Sequence, residues 1–141
     1  MHKTYQTTVV KAPINDVWKM LRNFHDMSWA TGIVERCEAV GDKSADQIGA
    51  QRVLNGVFHE TLLELNDTDH IVRYSIDAGP VPVSQDDVKN YIGVIQARPV
   101  TDIDGTFVEW SSSWEAEDEK AEEFCHNIYV ALLSDLKKNF V

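Results

Sequence analysis

The chain is poor in cations: 13 Lys and Arg stand against 23 Asp and Glu in 141 residues, a formal net charge of −10. Holding a phosphate backbone takes clustered Lys and Arg that release counterions, and an anionic bilayer surface makes the same demand. Neither nucleic acid nor stable membrane association is therefore expected. Long hydrophobic runs are missing too. The longest apolar stretch, Ile128 to Leu133, is six residues, where a bilayer span takes about twenty. The opening MHKTYQTTVV lacks the apolar core of a signal peptide. Two cysteines, Cys37 and Cys125, are too few and too distant for a disulfide framework, and they point to reduced thiols in a cytoplasmic protein. Seven glycines and four prolines exclude a linker-like or collagenous chain. What remains is ordinary globular composition, 43% hydrophobic, at a length that fits one domain over 1–141.

The hydrophobic period changes along the chain in an orderly way. Lys3 to Val10, rich in Thr, Val and Tyr, reads as a strand. Ala12-Pro13 opens a helix whose Ile14, Val17, Trp18, Leu21 and Phe24 fall on one stripe. A second short helical piece is expected around Asp26 to Ala30, with Trp29 turned inward. Strands are then expected over Ile33 to Val40, Ala50 to Leu54, Val57 to Leu65, Ile71 to Asp77, Val88 to Val100 and Thr106 to Ala116. Asn55-Gly56, Asn66 to Asp69, the loop Ala78 to Pro82, and Asp104-Gly105 separate them. Asp118 to Phe140 carries Ala121, Phe124, Cys125, Ile128, Ala131, Leu132, Leu136 and Phe140 on one broad face. Acidic residues at its start and Lys137 and Lys138 at its end suit the helix dipole. The fold class is α+β with an antiparallel sheet.

Hairpin registers carry the reading further. With Asp104-Gly105 as a two-residue turn, Trp110 faces Pro99 and Trp114 faces Ile95. Trp110, Trp114, Ile95, Gly93 and Tyr91 then share one face, and Glu109, Ser111, Ser113 and Glu115 form a wet face opposite. The same treatment of Asn55-Gly56 puts Gln51, Val53, Phe58, Glu60 and Leu62 on one face and Arg52 and His59 on the other. A carboxylate among apolar neighbours is costly unless it is partnered. Glu60 is therefore either a pocket residue with water or a partner, or the mark of a bulge. The turn at Asn66 to Asp69 leaves open whether Glu60 and Tyr74 share a face.

The string VVKAPINDVWKMLRNFHDMSWA, the block GAQRVLNGVFHETLLELNDTDHIVRYSIDAGPVPV, the segment NYIGVIQARPVTDIDGTFVEWSSSWEAE and the terminal helix together resemble the START-like, or SRPBCC, superfamily. Within it they are most similar to the polyketide cyclase/dehydrase-like and lipid-transport group. The resemblance implies a helix-grip fold: a seven-stranded curved antiparallel sheet wrapped around a long C-terminal helix, with two short helices after the first strand. It also implies a cavity between sheet and helix, of the kind that takes small apolar ligands. On that architecture the walls would be Tyr74, Ile76, Tyr91, Ile95, Trp110 and Trp114 from the sheet and Phe124, Ile128 and Leu132 from the helix. Gly79 to Val83 would rim the mouth. Glu60 matches a pocket glutamate in the plant hormone receptors of the superfamily. Their pocket lysine falls at Thr31, however, and their gate loop falls at the tight Asn55-Gly56 turn, so a receptor role is not implied.

The residues offer little complete catalytic machinery. His59-Glu60 begins like a zincin motif, but Leu63 stands where the second histidine should be. Cys125 and His126 are neighbours on a helix, about 100° apart, and so are badly placed as nucleophile and base. No cofactor and no metal are expected. The favoured reading is binding or carriage of a small hydrophobic ligand, a lipid or an aromatic or polyketide-like metabolite. The alternatives are a cyclase or dehydratase using Glu60 with a pocket tyrosine as acid and base, and a protein-interaction module with little cavity.

Overall fold

The computed structural model covers residues 1–141. Its elements are β1 (His2–Val10), α1 (Ile14–Leu21), β2 (Cys37–Val40), β3 (Gln51–Leu54), β4 (Phe58–Asn66), β5 (Ile71–Ala78), β6 (Lys89–Val100), β7 (Gly105–Glu115) and α2 (Lys120–Lys138). All strands join one antiparallel sheet in the order β1-β7-β6-β5-β4-β3-β2. The core lies between one face of this open, curved sheet and α2. This is the helix-grip arrangement.

Helix α1 follows Pro13, whose fixed φ of −61° sets the first turn. It buries Val17, Trp18 and Leu21. The indole N–H of Trp18 and the guanidinium of Arg22 both donate to Asp67, at 2.8 and 2.9 Å, which ties the helix to the β4–β5 turn. The second expected helix does not form. Over Asp26 to Ala30 the chain makes turns instead, because short polar side chains capture nearby backbone donors. Asn23 Oδ1 accepts from His25 N at 3.2 Å, and Asp26 Oδ1 accepts from Ser28 N at 2.9 Å. Trp29 is still buried. The strand expected from Ile33 begins only at Cys37. Asn55 Oδ1 accepts from the backbone N–H of Glu35 and Arg36, and its amide donates to the carbonyl of Ile33. These bonds hold the segment before β2 off the ladder.

The β6–β7 hairpin is longer at its tip than a two-residue turn. Thr101–Ile103 form a 3₁₀ turn, Asp104 adopts φ 48°, and Val100 pairs with Gly105. Trp110 therefore faces Ile95 rather than Pro99. The slip amounts to four residues along β6, an even number, which leaves every side chain on its expected face. Trp110, Trp114, Ile95 and Tyr91 are all buried. At Asn55-Gly56 the deviation is odd. Val57 joins the turn, Leu54 pairs with Phe58, and Arg52 pairs with Glu60. That one-residue slip turns Arg52 and Leu54 inward and sends Gln51 and Val53 outward, the reverse of the expected β3 face. A further irregularity between Leu62 and Glu64 bulges β4 at the half-exposed Leu63. The four-residue tip Asp67 to His70 would otherwise oppose the two faces, and the bulge brings Glu60, Leu62, Tyr74 and Ile76 onto one.

Candidate functional site

A cavity opens between the inner face of β3 to β7 and helix α2. Its volume is about 50 Å³. One water needs about 10–15 Å³ of such space, so the cavity takes a slender or planar molecule rather than a bulky one. Eighteen residues line it and 15 of them are hydrophobic. No cluster of three or more His, Cys, Asp or Glu side chains is placed to hold a metal ion.

Of the residues named from sequence, Glu60, Tyr74, Ile76, Tyr91 and Trp110 line the cavity from the sheet, and Phe124, Ile128 and Leu132 line it from α2. Ile95 and Trp114 are buried beside it and do not line it. Trp114 instead stacks on Tyr91 at 5.4 Å between centroids and on His2 at 6.0 Å. Its indole nitrogen has no partner. In the Gly79–Val83 loop, Val83 is buried against the cavity and Val81 is exposed. Met27, Ile33 and Val34 close the side formed by the segment after α1.

Two polar constellations interrupt the apolar walls. The first is Arg52 with Glu60, 6% and 5% exposed. Arg52 Nε and Nη2 both reach Glu60 Oε1, at 2.8 and 2.7 Å, and Nη1 donates to the carbonyl of Phe24 at 3.1 Å. The guanidinium lies 4.0 Å over the Phe24 ring, a cation–π contact that suits the planar, weakly hydrated Arg. Glu60 Oε2 receives no hydrogen bond from the protein. Burial raises the Glu60 carboxyl above its ordinary value, and the adjacent Arg52 opposes that rise.

The second is a chain of hydroxyls. Trp110 Nε1 donates to Tyr74 OH at 3.0 Å, Tyr74 OH meets Tyr129 OH at 2.9 Å, and Tyr129 OH meets Tyr91 OH at 2.5 Å. Four side chains from β5, β6, β7 and α2 thus satisfy each other's polar atoms inside an apolar core, which is the condition for burying them at all. Burial pushes all three phenols well above the usual tyrosine value, so they remain protonated donors. It also pushes the Cys125 thiol up to about 11, which leaves it a small apolar wall residue.

Arg52 and Tyr129 were not expected at the site. Tyr129 was within reach of periodicity: four residues after Cys125 and three before Leu132, it continues the stripe actually buried on α2, which runs through Cys125, Tyr129, Leu132, Leu133 and Leu136. Arg52 carried no such signal, because its face depended on a single extra residue in the turn.

The shape has close counterparts. A protein from Nitrosospira multiformis, 43% identical, superposes with a TM-score of 0.98, covering 99% of this chain and 97% of that one. The protein XoxI from Bacillus cereus, 23% identical, gives 0.82 with 99% and 96% covered. Major latex-like protein 151 of Panax ginseng, 12% identical, gives 0.80 with 99% and 97% covered. At the lower identities the likeness is one of fold alone. The family model described as polyketide cyclase / dehydrase and lipid transport matches residues 1–141. With sheet, gripped helix and cavity in place, the chain belongs to the polyketide cyclase / dehydrase and lipid transport family.

Proposed function

We propose that the protein acts as one domain over 1–141 that binds or carries a small hydrophobic molecule, a lipid or an aromatic or polyketide-like metabolite, in the cavity between sheet and α2. The observation that carries this reading is the lining itself: 15 apolar residues of 18, the aromatic Tyr74, Tyr91 and Trp110 among them. A module that used only its surface would have no need of this hollow, since filling it with side chains would stabilise the fold. Glu60, Tyr74, Ile76, Tyr91, Trp110, Phe124, Ile128 and Leu132 are the proposed contacts. Ile95 and Trp114 support them from behind.

A cyclase or dehydratase reading finds support in Glu60 and Tyr74 meeting on one cavity face. Against it stands Arg52, because Nε and Nη2 both occupy Glu60 Oε1 and keep that oxygen from a substrate proton. Carriage is therefore preferred over catalysis.

The test is native mass spectrometry of protein purified from its own host, paired with titration of tryptophan fluorescence against small neutral apolar compounds. A co-purifying mass, or saturable quenching that Trp110→Phe diminishes, is the expected result. A ligand-free mass together with no saturable quenching by any compound overturns the proposal.

A further inference from the structure

The charge and hydrogen-bond inventory of the cavity constrains what can occupy it. Its three lining residues that are not hydrophobic are Arg52, Asn55 and Glu60, so it contains one cation and one anion, and these two are paired at 2.7 Å. An anionic guest would compete with Glu60 for Arg52 and leave a buried negative charge uncompensated. A cationic guest would compete with Arg52 for Glu60 and strand the guanidinium. Both outcomes are heavily penalised away from water. The pair is nevertheless not saturated. Both guanidinium contacts to the carboxylate land on Oε1, and no protein donor reaches Oε2. Trp114 Nε1 is the only buried side-chain polar atom without a partner, so Oε2 keeps surface of its own, and a carboxylate oxygen in that condition can receive an O–H or N–H.

Resting on the reading that this cavity is the ligand site, we infer that it selects uncharged molecules bearing a hydrogen-bond donor, and that the donor is received by Glu60 Oε2. A neutral hydroxyl or amide N–H supplies the missing bond and leaves the net charge of the cavity at zero. A carboxylic acid of the same skeleton, ionised at neutral pH, is excluded. An ether or ester of the same skeleton, with acceptors only, enters without that bond.

Three probes sharing one flat apolar skeleton separate these cases: 2-naphthol, 2-methoxynaphthalene and 2-naphthoate, each titrated calorimetrically at pH 7. A hydrogen bond to a charged group gives a preference of about tenfold to a hundredfold, so 2-naphthol should bind the native protein more tightly than 2-methoxynaphthalene by that factor, and 2-naphthoate should bind worst. In Glu60→Gln the stranded Arg52 should invert the order, raising 2-naphthoate affinity about tenfold or more. The variant Arg52→Met with Glu60→Leu removes both charges while keeping the interior filled. In it the naphthol-to-ether preference should shrink below about threefold. Equal binding of naphthol and its ether by the native protein, or tightest binding of the naphthoate, overturns the inference and leaves ligand binding itself standing. Failure of all three probes to bind overturns the inference, and a ligand-free native mass with no saturable quenching then overturns the reading it rests on as well.

Discussion

Gly93→Ala is the sharpest single test of how the hydroxyl chain is held. Gly93 pairs across the ladder with Tyr74, whose ring lies flat over it. A methyl carbon at position 93 would sit 2.5 Å from the Tyr74 hydroxyl oxygen and 2.6 Å from Cε1, far inside contact distance. The sheet backbone cannot yield there, because β6 is paired on both sides, so the ring must tilt away. Overpacking of this kind costs about 1–3 kcal/mol. The displaced hydroxyl also loses its bonds to Trp110 and Tyr129, at about 1 kcal/mol each. The expected loss is thus about 3–5 kcal/mol, a large part of the roughly 5–15 kcal/mol available to a domain. Urea denaturation followed by tryptophan fluorescence should show it as a fall in midpoint of about 1.5–2.5 M, taking a slope of about 2 kcal/mol per M. In a Tyr74→Leu background the methyl meets no ring, and the same change should become neutral or stabilising by about 0.5–1 kcal/mol. A cost below about 1 kcal/mol in the native background, or an equal cost in both backgrounds, refutes the reasoning.

Three further outcomes follow from the same geometry. Of the four tyrosines only Tyr5 is exposed, so absorbance at 295 nm should report one phenol ionising in the folded protein and the other three only on unfolding. Because the folded state holds those three protons above pH 10, stability should fall as pH rises past the ordinary tyrosine value. Arg52→Met alone strands the Glu60 carboxylate and should cost about 3–5 kcal/mol in urea unfolding, whereas Arg52→Met with Glu60→Leu should recover most of that loss. Asp67 is held below the ordinary carboxylate value by its bonds from Arg22 and Trp18. Its contribution is therefore present above the unfolded pKa and lost as pH falls through the lower folded value, so the stability gap between native protein and Asp67→Asn should close in thermal melts below about pH 4.

Element order and the inner face of the last hairpin were legible in the sequence because they depend on parity and period, which survive small errors. The β6–β7 tip was misjudged by an even slip, and Trp110, Trp114, Ile95 and Tyr91 stayed together on the inside. The β3–β4 tip was misjudged by an odd one, and a single residue, Val57, decided that Arg52 would be the partner of Glu60. Asn55 and Gly56 do take the positive φ values of 54° and 71° that their identities suggest, but nothing local reveals that a third residue joins them. The bulge at Leu63 is equally silent, since β4 carries no glycine or proline to mark it. The missing second helix was more accessible. Asn23, Asp26 and Ser28 are residues whose side chains rival the backbone for its own donors.

Helix α2 is anchored at its far end as well as at the cavity. The buried Asp135 carboxylate accepts the Gly32 N–H at 2.9 Å, and Asn139 donates to the carbonyl of Trp29 at 2.9 Å. Six residues before Asp135, the same rod carries Tyr129 into the hydroxyl chain. Any outward movement of α2 must therefore either snap these tethers or drag the Trp29-to-Val34 wall with it, so a change in the room beneath the helix and a change in that wall become a single event.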